Sequence, residues 1–108
     1  MAREKRVIDK DLFWAVVLTS EAYGGVGSGA FRNGAGKPLC VYGMAMEAGV
    51  PMSMGGSGTY YDQFGATSTT DFDLAVEDVR STQGGHGGWP RRVDVLDVFE
   101  VLGIEPSE

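Results

Sequence analysis

Along the chain, blocks in which apolar residues recur every three or four positions alternate with glycine-rich stretches in which they do not. Phe13, Val16 and Val17 share one face of a helix predicted from about Asp9 to Tyr23, and Trp14 and Leu18 widen that face. Asp9 suits the N-cap, Asp11 the positive end of the helix dipole and Gly24 the stop. The run Val16-Val17-Leu18 also suits a buried strand, and helix is the favoured reading. In the second block Val41, Met44, Ala45 and Ala48 repeat at helical spacing, Pro38 suits the first helical position, and Gly49 and Pro51 end it. Gly43 lies inside that helix, where it costs about 1 kcal/mol against alanine, a cost that a close helix–helix crossing would offset.

A third helix is predicted from Thr70, where Thr70-Asp71-Phe72-Asp73 follows the capping-box pattern and Phe72, Ala75, Val76 and Val79 form one stripe. A fourth follows Pro90, with Val95, Val98, Phe99 and Leu102 at the same spacing and Gly103 as the stop, after which Ile104 packs back on the last turn. The expected fold is all-α: one compact four-helix domain over residues 1–108, with long glycine-rich loops and a flexible basic tail over residues 1–8. Seventeen of 108 residues are glycine, concentrated at 24–36, 55–58 and 84–88, which marks the connections. The stretch 50–69 carries Tyr60, Tyr61 and Phe64, which should fold back onto the core as a helical turn.

Composition narrows the function. The longest unbroken apolar run, Leu12–Leu18, is seven residues, against the roughly 20 that a membrane-spanning helix needs. Met1–Arg6 resembles the basic start of an export signal, but Asp9 and Asp11 interrupt the apolar stretch that such a signal requires next, so none is read. Cys40 is the one cysteine, which excludes an intrachain disulfide and fits a reducing cytoplasm. Nine basic residues against 15 acidic ones give a net charge of −6, which disfavours binding to phosphate backbones.

Candidate chemistry is sparse. Gly25-Val26-Gly27-Ser28-Gly29-Ala30 matches the dinucleotide-binding pattern, yet no strand precedes it and no helix follows it. Gly36-Lys37 fails as a phosphate-binding loop because Pro38 stands where a hydroxyl residue belongs and Phe31 where the first glycine belongs. Cys40, in the first turn of the second helix where a thiol pKa is lowered, and His86, in Gly84–Gly88, form the one conceivable nucleophile–base pair. Against it stands the ordinary behaviour of a cysteine on an apolar stripe, a small buried hydrophobe. No metal-ligand spacing and no cofactor motif stand out. Trp89-Pro90-Arg91-Arg92 puts two arginines in the first turn of a helix, against its dipole, beside an aromatic of the kind that anchors protein interfaces. The plainer and favoured reading of the same residues has Trp89 stapling the helix start to the core and the arginines pairing with the chain's own carboxylates.

One resemblance adds to this. An opening helix, the segment Gly34-Ala35-Gly36-Lys37-Pro38-Leu39-Cys40-Val41-Tyr42-Gly43-Met44-Ala45, a loop, and Trp89-Pro90-Arg91-Arg92 before Val95-Leu96 resemble a family of small uncharacterised helical proteins of actinobacteria and their phages. Met44 stands for that family's usual alanine, and Pro90-Arg91 for its Asn-Asp. The resemblance implies a helical domain in a phage or actinobacterial setting and carries no activity with it.

The favoured function is a small, acidic, non-catalytic interaction protein, phage-encoded and acting on a host protein in the bacterial cytoplasm. Its binding surface is expected at Trp89, Arg91 and Arg92, with Tyr60 and Tyr61. The partner is an unidentified protein; self-association stays open, and neither nucleic acid nor membrane is expected. Two alternatives are a small hydrolase or transferase using Cys40 and His86, and an acidic mimic of nucleic acid.

Overall fold

The computed structural model describes residues 5–51, 62–65, 67–82 and 92–108. Strand β1 (Arg6–Ile8) leads into helix α1 (Lys10–Ala22). Helices α2 (Val41–Glu47), α3 (Thr69–Thr82) and α4 (Val95–Leu102) come next, with one 3-10 turn (Asp62–Phe64) before α3 and strand β2 (Ile104–Pro106) after α4. The fold is thus mostly helical but not purely α. β1 and β2 form a two-stranded parallel sheet in which Arg6 pairs with Ile104, Val7 with Glu105 and Ile8 with Pro106. This corrects the expectation of a loose tail for its last three residues. Three residues are too short for periodicity to register, and what pairs them lies almost a hundred positions away.

The helices begin and end for legible reasons. Asp9 caps α1 by accepting from the N–H groups of Asp11 and Leu12, and Asp94 caps α4 by accepting from Leu96. Gly103 closes α4 in the left-handed region at φ 71°, which suits a residue without Cβ. Two starts differ from the expected ones. Helix α2 is capped by Cys40, and Pro38 lies outside it, bridged to Arg32. Helix α3 starts at Thr69, with the Ser68 hydroxyl accepting from the Asp71 N–H at 3.1 Å. The capping logic holds there, shifted two residues toward the N-terminus.

Helix α1 packs on α2, α3 on α4, and both α1 and α4 on β2. Phe13, Val17, Val41, Met44, Ala45, Phe72, Val76, Val79, Val95, Val98 and Phe99, expected in the core, are buried, whereas Leu102, expected with them, is half-buried against it. Trp14 and Leu18 do not widen the buried face of α1. They stand 49% and 65% exposed, whereas Phe13, Val16 and Val17 are buried as expected and Leu12 joins them on that face. The aromatic centre is a triad. Tyr42, Phe64 and Phe72 meet edge to face, with ring centroids 5.2, 5.3 and 5.4 Å apart. Such contacts contribute about 0.5–1.5 kcal/mol each beyond the area they bury. Phe64, on the 3-10 turn, thus folds back as expected, whereas Tyr60 and Tyr61 lie outside the described residues.

Polar groups lock this centre. The Tyr42 hydroxyl donates to the Thr67 carbonyl, and the Thr67 hydroxyl donates to Phe64 O at 2.7 Å. From β1, the Arg6 guanidinium donates to the Thr67 hydroxyl at 2.7 Å. Each partner satisfies a group whose burial would otherwise be costly.

Candidate functional site

Between α1 and α2 the glycine-rich segment forms neither a nucleotide loop nor a plain coil. Val26 pairs antiparallel with Val93, which delivers the chain to α4, and Arg32 pairs antiparallel with Pro38. Between Arg32 and Pro38 the chain reverses through Asn33, whose side-chain oxygen accepts from the N–H groups of Ala35 and Lys37. This Asx-stabilised hairpin turns the N–H groups of Ala35 and Lys37 onto Asn33. Arg32 holds the hairpin from outside, donating to Gly36 O at 2.9 Å and to Glu47 Oε1 at 3.1 Å. Tyr23 donates to the other oxygen of Glu47 at 2.9 Å.

Gly43 explains how close the hairpin comes to α2. A Cβ at that position would sit 2.0 Å from the carbonyl oxygen of Phe31. A close approach is therefore present, as expected, but the partner is hairpin backbone and not another helix. The same carbonyl accepts from the Leu39 N–H at 2.8 Å, so the hairpin closes on itself where it meets α2.

This arrangement leaves a cleft of about 400 Å³ between the hairpin and α3. Gly29, Ala30, Phe31 and Cys40 form one wall, and Thr69, Phe72 and Asp73 form the other, with Tyr42 also lining it. The Gly29 N–H donates to Asp73 Oδ1 at 3.2 Å, and the Ser28 hydroxyl donates to Glu77 one helical turn further along α3, at 3.4 Å. Phe31 meets Tyr42 edge-on with centroids 6.3 Å apart, and Phe31 is 37% exposed. The lining is aromatic or small apart from one carboxylate, that of Asp73.

Cys40 takes part as a structural atom. It is buried, and its sulfur accepts from the Gly43 N–H at 3.5 Å as the N-cap of α2. Burial pushes the Cys40 thiol above its ordinary pKa, and the Asp73 carboxylate acts in the same direction. The opposing hydrogen bonds from the Gly43 and Tyr42 backbones do not overcome them. The helix N-terminus therefore does not yield the lowered thiol that its position suggests, because desolvation wins. His86, the other half of the nucleophile–base pair, lies outside the described residues, and so do Trp89 and Arg91.

Arg92 is described, and it is tied inward. Its guanidinium donates to Gly25 O at 2.8 Å and to Pro38 O at 3.0 Å, joining the start of the glycine-rich segment to the hairpin's far strand. Helix α4 starts at Val95, three residues later, so Arg92 is not in its first turn and does not oppose its dipole. Phe31, Thr69 and Asp73 do not stand out as site residues in the sequence. One signal is present for Phe31, the lone aromatic of the glycine-rich stretch 24–36. Asp73 carries only a helix-start signal, as the last residue of the capping-box pattern.

Among the described residues no group of three or more His, Cys, Asp or Glu side chains is placed to hold a metal ion. Among them, too, no helix is long and apolar enough to cross a membrane. Comparison with protein families, with curated proteins and with solved structures finds no match to this chain.

Proposed function

We propose that the protein is a non-catalytic interaction protein and that the cleft between the hairpin and α3 belongs to its recognition surface. The observation that carries this reading is the placement of Cys40. The candidate nucleophile is buried, holds its proton and caps a helix, while the aromatic and acidic groups beside it line a cleft. Thiolate chemistry needs an ionised, accessible sulfur. Recognition needs shape, apolar area and a few placed polar groups. The resemblance to actinobacterial and phage proteins suggests a host protein as the partner.

The acidic-mimic reading gains less support. Asp9 and Asp94 cap helices, and Glu47, Glu77 and Glu105 pair with Arg32, Arg80 and Lys5. Carboxylates engaged in this way are poorly suited to imitate a row of phosphates.

The test is affinity capture from an actinobacterial lysate with the wild type, Phe31→Ala and Cys40→Ala proteins, each checked by thermal melt. The expected outcome is a partner held by wild type and by Cys40→Ala but lost from a folded Phe31→Ala. Loss from Cys40→Ala alone, together with rapid thiol labelling at neutral pH, would overturn the reading in favour of a cysteine enzyme.

A further inference from the structure

We infer that the cleft receives a basic side chain, the lysine or arginine of a partner protein, with its apolar stem against the exposed ring of Phe31 and its charged end at Asp73. The inference rests on reading the cleft as a recognition site and adds what it recognises. Three observations carry it. Asp73 is the one charged side chain among the described residues that line the cleft, since the Cys40 thiol stays protonated beside it. Asp73 Oδ1 accepts from the Gly29 N–H, which orients the carboxylate at the seam between the two walls and leaves acceptor positions on it for a ligand. The rest of the lining is aromatic or small, with Phe31 partly exposed.

A cation on a hydrocarbon stem satisfies all of these together. Its charge pairs with the carboxylate, and aromatic faces attract cations through their quadrupole. Its methylenes cover the ring surface that water now meets. An anionic ligand would face Asp73, with Glu77 one turn further on, and no described lining residue would offset that charge. The net charge of −6 draws a basic partner to the molecule before any contact forms.

The experiment is an NMR titration of the full chain with three probes of similar size: N-butylguanidinium, n-butylammonium and pentanoate. Both cations are expected to shift amide resonances of residues 29–31, 40–43 and 69–73, and to bind at least tenfold more tightly than pentanoate. Asp73→Asn keeps the acceptor for Gly29 and removes the charge, so it should weaken cation binding about fivefold, in line with a partly exposed ion pair. Raising the salt from 50 to 500 mM should weaken it further. Phe31→Leu keeps an apolar wall without the aromatic face and should also weaken it. Pentanoate binding as tightly as the cations, shifts centred elsewhere, or an unchanged affinity in a folded Asp73→Asn would each overturn the inference. If these cation results fail while Phe31→Ala still loses its partner in capture, the cleft recognises something other than a basic side chain and the proposed function stands.

Discussion

The two walls of the cleft face each other but are held in place by different means. The α3 wall is a helix of 14 residues, anchored by Phe72, Ala75, Val76 and Val79 in the core and started by the Ser68 hydroxyl. Its position follows from burial along one stripe, a property spread over many residues. The hairpin wall has no such stripe. Its place depends on a few individual contacts: the absence of a side chain at Gly43, the two Arg92 hydrogen bonds, and the Arg32–Glu47–Tyr23 cluster outside. A wall set by burial tolerates substitution by degrees, and a wall set by single contacts yields at once when one is removed.

Substitutions should separate the two. The largest effect is expected from Gly43→Ala. Alanine would gain about 1 kcal/mol in helix propensity, but its Cβ would overlap the Phe31 carbonyl, and backbone on both sides leaves no flexible side chain to give way. A net loss of about 2–3 kcal/mol is expected in chemical denaturation, typical of overpacking. A variant as stable as wild type would show that the hairpin can retreat freely. Arg92→Ala should cost about 2 kcal/mol, because two backbone carbonyls lose a charged donor. Arg92→Lys should recover little of it, since one ammonium lacks the planar fork that reaches both. On the opposite wall, Ser68→Ala should cost about 1 kcal/mol, the usual loss of an N-cap, with the cleft retained.

Smaller effects should track pH. The Cys40 pKa is raised in the fold, so the folded state holds the thiol proton where the unfolded chain releases it. Its contribution is complete below the ordinary thiol pKa, about 8.5, and is lost as pH rises through the folded value. The melting temperature of wild type should therefore fall more steeply above that pH than that of Cys40→Ala. Equal slopes would contradict the burial of the thiol. At the exposed rim, hydrogen bonds from Tyr23 and then Arg32 hold Glu47 below the usual carboxylate range. Tyr23→Phe should raise the Glu47 pKa measured by NMR, with little change in stability because the pair is open to water.

The same contrast separates what is legible in the sequence from what is not. The helical stripes of α1, α3 and α4, the Asp9 cap and the Gly103 stop can all be read locally, because each depends on neighbours within a turn or two. The hairpin cannot. Its Asx turn is a local signal of a kind easily missed among glycines, but its seat on α2 depends on Phe31 meeting Gly43, twelve positions apart with no periodic pattern between them. Arg92 shows the same limit. Two arginines before a helix look like a broken local rule, whereas the Arg92 partners lie 67 and 54 residues back along the chain. Of the cleft itself, Gly29 and Ala30 stand out in the sequence only through a dinucleotide pattern whose context is missing, and Cys40 for reactivity that desolvation removes.

The β1–β2 pair has a consequence for the order in which the molecule assembles. Pairing Arg6 with Ile104 closes nearly the whole chain into one loop, whose entropy cost grows as the logarithm of its length and reaches about 4 kcal/mol for 98 residues. Three paired residues cannot meet that cost unaided, so the helices must first draw the two strands together. Completion of the sheet then becomes a late step of folding. During synthesis, Arg6–Ile8 must wait unpaired until residues 104–106 have left the ribosome, so the first element in the described chain is among the last to gain its partner.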